Sequence, residues 1–197
     1  VHGVHHEDLS LRFMEMLRAK YGSVMDLAIS IFQNTYEKKF LHQLVSGQLD
    51  VDRLDYLMRD SFYTGVSEGI IGTERILKMM CVHDGELAVE KKGIYSIEKF
   101  IMARRLMYWQ VYFHKAVVSA EVMLINTLKR AHELSLKGVD LFAPPALSYF
   151  LKNKVGAKGL NDDNLEKFIL LDDSDILTSV KVWQNHEDKV LSRLSSG

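Results

Sequence analysis

The sequence has one cysteine, Cys81, and two prolines, adjacent at Pro144 and Pro145. A lone thiol cannot close a disulfide within the chain, which excludes a disulfide-stapled secreted scaffold. With so little proline, nearly the whole chain is free of helix breakers. There is no run of about 18 apolar residues and no charged-then-apolar leader, so no membrane span is expected and a cytoplasmic location is. Charge of one sign is missing too: 25 basic against 26 acidic residues leave a formal net charge of -1. No global field steers the chain toward nucleic acid or an anionic membrane, and any anion it binds must meet a local cluster.

What is present is apolar substance in a helical rhythm. Of 197 residues, 47% are hydrophobic, enough for one good core and a small second lobe. Apolar positions recur every three and four residues, which predicts an all-α chain with helices near 7–20, 24–33, 36–46, 50–62, 72–81, 94–136, 145–152, 162–169 and 173–194. The segment GELAVEKKGIYS (85–96) alternates side chains between glycines and fits a short hairpin or extended loop with no candidate chemistry. Gly138 and the proline pair interrupt LKGVDLFAPPAL, dividing the chain into residues 1–137 and a helical extension over 138–197.

Residues 48–65, QLDVDRLDYLMRDSFYTG, crowd three carboxylates and two guanidiniums between Asp52 and Asp60. On a helical wheel Leu54, Leu57 and Met58 share one arc that should face the core. On the other side Asp52, Tyr56 and Asp60 follow i, i+4, i+8 spacing with Arg53 beside them, so a ligand lying along the axis could touch all four. The alternative is a solvated face in which Asp55 and Arg59 form an i, i+4 pair worth about 0.2–0.5 kcal/mol.

Residues 97–118, IEKFIMARRLMYWQVYFHKAVV, are apolar or aromatic on almost every side, the pattern of a helix enclosed by others. Within it Arg104, Tyr108, Tyr112 and Lys115 fall within about 80° of one another on the wheel. An enclosed guanidinium needs an anion, because burying its charge unpaired costs several kcal/mol. A carboxylate such as Asp60 would serve, and so would a phosphate, whose oxygens match the planar guanidinium fork. At the start, HGVHHED holds His2, His5 and His6 beside two acids, but not at the spacing of a zinc knuckle or an HExxH helix. A solvated terminus explains them, or His6 could act as a proton donor beside a phosphate.

Taken together, HEDLS at 6–10, DVDRLDYLMRDSFYTG at 50–65 and FIMARRLMYWQVYFHK at 100–115 resemble the HD-domain deoxynucleoside triphosphate triphosphohydrolases, all-α metal-dependent enzymes. The most specific part is the D-x-D-[KR]-x-D-Y-x-x-R-D pattern, and the likeness covers roughly residues 1 to 135. It implies the C-terminal part of an HD-type helical bundle that hydrolyses dNTPs to a deoxynucleoside and tripolyphosphate. It also implies one divalent metal (Mn, Fe, Zn, Ni or Mg) for which Asp52 is a ligand. Arg53, where many relatives have Lys, would touch the triphosphate. Tyr56 and Asp60 would line the sugar and phosphate end, Arg104 would clamp phosphate, and Tyr112 would lie near the sugar. Tyr108 replaces a histidine of some relatives, His6 would sit near the α-phosphate as a catalytic group, and Lys115 matches an activator contact of some members.

The family's other metal ligands, a His and a His-Asp doublet, are expected upstream of HED, so the chain alone is expected neither to retain metal nor to hydrolyse dNTPs. Expected partners are dNTPs and further copies of the chain in a dimer or tetramer. Two other functions remain open at this level: a nucleotide-binding regulatory module without catalysis, and an HD phosphohydrolase acting on another phosphate ester.

Overall fold

The computed structural model describes residues 5–153, 155 and 161–197; His2 lies outside them. The described chain is helical apart from one two-stranded antiparallel hairpin, as the three-and-four spacing predicts. Among the described residues no helix is long and apolar enough to cross a membrane. The chain forms two compact units, Met14–Val117 and, in the other, Val1–Phe13 with Val118–Gly197. Gly138 and the proline pair lie inside the second of these.

Within Met14–Val117, α1 (His6–Tyr21, entering from the other unit) is followed by α2 (Val24–Phe32) and α3 (Lys39–Ser46). Residues 36–38 lie outside α3, contrary to expectation, because Asn34 adopts a left-handed φ of 56° and the Thr35 and Tyr36 amides fold back onto the Ser30 carbonyl. Helix α4 (Val51–Thr64) starts at Asp50, whose carboxylate accepts the Arg53 amide, and stops at Gly65, left-handed at φ 71°. It buries Leu54, Leu57 and Ser61. Met58, expected in the core, is 44% exposed, and Ser61 takes the inward position by donating to the Val66 carbonyl at 2.6 Å.

Ser61 also makes room for Gly69, in the 3₁₀ turn Ser67–Gly69. A Cβ built there would come within 2.7 Å of both Met107 Sδ and Ser61 Cβ. That close approach seats the turn between α4 and α6 (Ile94–Met107). The core joins Leu54 and Leu57 of α4 to Ile71, to Ile76 of α5 (Thr73–Met79), and to Phe100, Ala103 and Met107 of α6.

The hairpin pairs β1 (Met80–His83) with β2 (Glu86–Val89) through Asp84 and Gly85, at φ 50° and 82°. Two successive positive φ values are the mark of a type I′ turn, which Asp-Gly favours. The hairpin therefore begins five residues before the expected segment and takes over the end of the helix expected at 72–81, and α6 begins inside its far end. Gln43 of α3 holds β2 by accepting the Leu87 amide at 2.6 Å and donating to Glu86.

The helix expected over 94–136 is not continuous. After α6 one π turn covers Tyr108–Tyr112, with the Phe113 amide on the Tyr108 carbonyl at 2.8 Å, and α7 (Lys115–Leu136) restarts beyond His114. Four aromatic rings in six residues, Tyr108, Trp109, Tyr112 and Phe113, crowd an α-helical surface, and a π turn spreads them while keeping the backbone bonded. Nor is this stretch enclosed in the chain: Ile101, Met102, Trp109 and Phe113 are each more than half exposed.

In the other unit, α7 packs with α8 (Pro145–Lys152), α10 (Asp173–Trp183) and α11 (Lys189–Ser196) around Ala131, Leu147, Trp183 and Leu191, while α9 (Asp162–Ile169) lies against α8, where Tyr149 donates to Asn164. Trp183 is 1% exposed and donates its indole N–H to the Phe142 carbonyl at 2.9 Å. The helix expected over 173–194 breaks after Trp183. Asp188 caps α11 through the Leu191 amide, and Arg130 of α7 holds the same carboxylate with Nε at 3.2 Å and Nη2 at 2.5 Å.

Candidate functional site

Helix α4 and the α6–π segment turn their polar stripes toward each other. Tyr112 donates its hydroxyl to Asp60 Oδ2 at 2.6 Å. The rings of Tyr56 and Tyr112 meet edge to face with centroids 6.2 Å apart, and Tyr112 meets Tyr108 in the same way at 5.1 Å. The Arg104 guanidinium lies over the Tyr108 ring at 5.6 Å. Asp60, Tyr56, Tyr112, Tyr108 and Arg104 therefore form one cluster.

Asp60, the carboxylate that could have satisfied Arg104, is engaged by Tyr112 instead. Among the described residues no carboxylate pairs with Arg104; its neighbours are phenols, and its Nε is buried with no hydrogen-bond partner. Hydrogen bonding to the Tyr108 hydroxyl, against the opposing cost of burial, raises the guanidinium pKa, so it stays a cation at every accessible pH. A guanidinium with an unused buried N–H and no counter-ion is suited to an incoming anion.

Tyr56 and Tyr112 stay protonated. Burial, reinforced by the field of Tyr108, raises the Tyr56 pKa in spite of the opposing Arg104 and Arg53 charges. Burial and the hydrogen bond to Asp60 push Tyr112 well above the ordinary phenol value. Tyr112 is thus a hydrogen-bond donor throughout the physiological range, and Asp60 accepts from it.

Arg53 is already bound. Its Nη1 meets Asp50 Oδ2 at 2.5 Å and also donates to the Gly47 carbonyl. Asp50 is 5% exposed and takes the Arg53 amide at 2.8 Å. Asp50 is the residue that sequence reasoning missed. Its signal was an aspartate at the helix N-cap three residues before Arg53, a spacing that serves cap and ion pair at once.

Asp52 is exposed in the first turn of α4. Among the described residues no three His, Cys, Asp or Glu side chains are grouped to hold a metal ion. Asp52 by itself does not make a metal site, which takes several converging ligands. His6 belongs to the other unit, in the first turn of α1, where its exposed ring lies 3.2 Å from Glu7. Lys115 is exposed at the start of α7. Asp55 and Arg59 form the expected exposed i, i+4 pair.

Beside the cluster a cavity of about 590 Å³ opens along α6, lined by Leu49, Ile97, Arg104, Arg105, Tyr108 and Trp109 among others. Arg104 and Tyr108 belong to both cluster and cavity.

Comparison with known proteins gives consistent matches. Residues 71–143 match the family described as the HD associated region. A crystal structure of a phosphohydrolase from Bacteroides thetaiotaomicron is 60% identical with a TM-score of 0.97, over all of this chain and 49% of that one. The uncharacterized protein YwfO of Bacillus subtilis is 39% identical over 88% of this chain and 38% of its own length. A Dictyostelium discoideum protein named deoxynucleoside triphosphate triphosphohydrolase SAMHD1 homolog is 28% identical over 72% of this chain and 29% of its own. The chain thus spans half or less of the length of these relatives. Together the matches support an HD-domain family.

Proposed function

We propose that the chain is the nucleotide-binding part of an HD-domain phosphohydrolase whose substrates are deoxynucleoside triphosphates, cleaved to a deoxynucleoside and tripolyphosphate. The observation that carries this reading is Arg104: a guanidinium with a buried, unpartnered Nε, among phenols and without a carboxylate. Phosphate oxygens supply what it lacks. The Tyr112–Asp60 pair offers a fixed donor and acceptor in the same cluster as that cation, which suits a molecule with hydroxyls at one end and phosphates at the other. The names of the phosphohydrolase and of the triphosphohydrolase homolog add support.

In this reading Arg104 binds phosphate and Tyr108 keeps it oriented through its hydroxyl. Arg53, held by Asp50, contributes positive potential rather than a free hand. Asp52 is proposed as one ligand of a divalent metal whose remaining ligands would come from outside the described residues, and His6 as a group near the α-phosphate. Assembly into dimers or tetramers belongs to the same proposal.

The test is to assay the full-length protein with Mn²⁺ and a dNTP panel, separating tripolyphosphate, pyrophosphate and phosphate. Tripolyphosphate is the expected product, with Asp52→Ala losing metal and activity and Arg104→Gln weakening substrate binding while metal is retained. Phosphate or pyrophosphate as product would point to another ester or anhydride, and full activity in both variants would misplace the site.

A further inference from the structure

The cavity along α6 contains two guanidiniums and a wall of rings, and the proposed reaction uses only Arg104 and Tyr108 of them. Arg105 stands over the Trp109 indole, 4.6 Å from its centroid. Trp109 is nevertheless 60% exposed, and Phe113 is 66% exposed. Among the described residues no acidic side chain lines the cavity and no carboxylate pairs with Arg105. The rings are continuous with the cluster: Tyr56 meets Tyr112, Tyr112 meets Tyr108, and Tyr108 meets Phe113 at 5.3 Å.

A cavity with cations, exposed flat rings and no carboxylate suits a ligand that is itself both anionic and aromatic. Aliphatic walls at Leu49, Ile97 and Ile101 add apolar contact. A large exposed indole is costly to leave in water, while a guanidinium packed on it limits its rotation. A planar base stacking on a ring already restrained on one face loses less side-chain freedom on binding.

Resting on the phosphate role proposed for Arg104, we infer that Trp109, held by Arg105, is the stacking platform for the nucleobase of the bound nucleotide. Arg104 takes the phosphates, and Trp109 takes the base. Because stacking tolerates every base, the platform sets affinity for nucleotides over bare polyphosphate more than it sets a choice among bases.

The chain contains two tryptophans, and Trp183 is buried at 1% exposure in the other unit, so Trp109 supplies the ligand-sensitive emission. The experiment titrates the full chain, in EDTA so that no turnover occurs, with dATP, deoxyadenosine and tripolyphosphate, following fluorescence and calorimetry. The expected result is quenching of Trp109 by dATP and deoxyadenosine but not by tripolyphosphate. Trp109→Ala should weaken dATP about tenfold, Trp109→Phe should restore most of that loss, and tripolyphosphate affinity should be unchanged in both. Arg104→Gln should abolish tripolyphosphate binding.

Unaltered dATP affinity in Trp109→Ala, with tripolyphosphate still dependent on Arg104, would overturn the platform and leave the phosphate site standing. Binding of neither dATP nor tripolyphosphate would overturn both. Ligand-free Trp109 emission that shifts blue with rising protein concentration would mean that a second copy covers the ring, and also overturns it.

Discussion

Tyr112 donates its phenolic proton to Asp60 across 2.6 Å, tying the π turn after α6 to the C-terminal half of α4. The bond decides two matters at once. It engages the carboxylate that the sequence offered as a partner for Arg104, and it fixes a donor–acceptor pair within the candidate site.

Removing that bond should cost stability as well as binding. Tyr112→Phe is expected to lower unfolding free energy by about 1.5 kcal/mol, the low end for a hydrogen bond to a charged group because both partners are only partly buried. Asp60→Asn should cost a similar amount, and the double variant less than the sum. Urea denaturation of the three variants checks this; strict additivity would mean that the two side chains do not interact in solution.

The seat of α4 on α6 depends on Gly69. A Cβ there meets Met107 Sδ and Ser61 Cβ at 2.7 Å, and both partners lie in the buried core. Gly69→Ala is therefore expected to destabilise Met14–Val117 by about 1–3 kcal/mol through overpacking. Amide hydrogen exchange should locate the loss in α4 and α6. Unchanged protection there would mean that the turn is free to shift.

Acid should act on the other unit through Asp188. Its hydrogen bond to Arg130, with the Leu191 amide, lowers its pKa from 3.8 to about 2. A carboxyl lowered by folding contributes stability that is fully present above the unfolded value and is lost as the pH falls through the folded one. Stability followed by Trp183 emission should therefore decline between about pH 4 and pH 2. Asp188→Asn should be less stable at neutral pH and flatter over that window. An identical acid profile in the variant would remove Asp188 from the account.

Much of this protein is legible in its residues. The three-and-four spacing located α2, α8 and α9 within a residue at each end, because an amphipathic stripe specifies a helix wherever one face is buried. Asp52, Arg53, Tyr56 and Asp60 were placed on one helix, α4, by the same reasoning. Legibility failed where local signals competed. Asp-Gly at 84–85 announced a hairpin, yet its first strand was read as helix because Met80–Val82 continue an apolar run. The break after Trp183 was hidden because the polar run to Asp188 resembles a solvated helical face until Arg130, 58 positions earlier in the chain, selects Asp188 as a cap.

By itself, the sequence determined the helical class and the composition of the charged stripes, since those follow from period and charge alone. Only the tertiary structure decided which partner each charge has: Asp50 for Arg53, Tyr112 for Asp60, and phenols without a carboxylate for Arg104. A helical wheel gives the direction of a side chain from its own axis and nothing of what approaches from another helix. The π turn, which no wheel with a fixed step contains, is the segment from which Tyr112 meets Asp60.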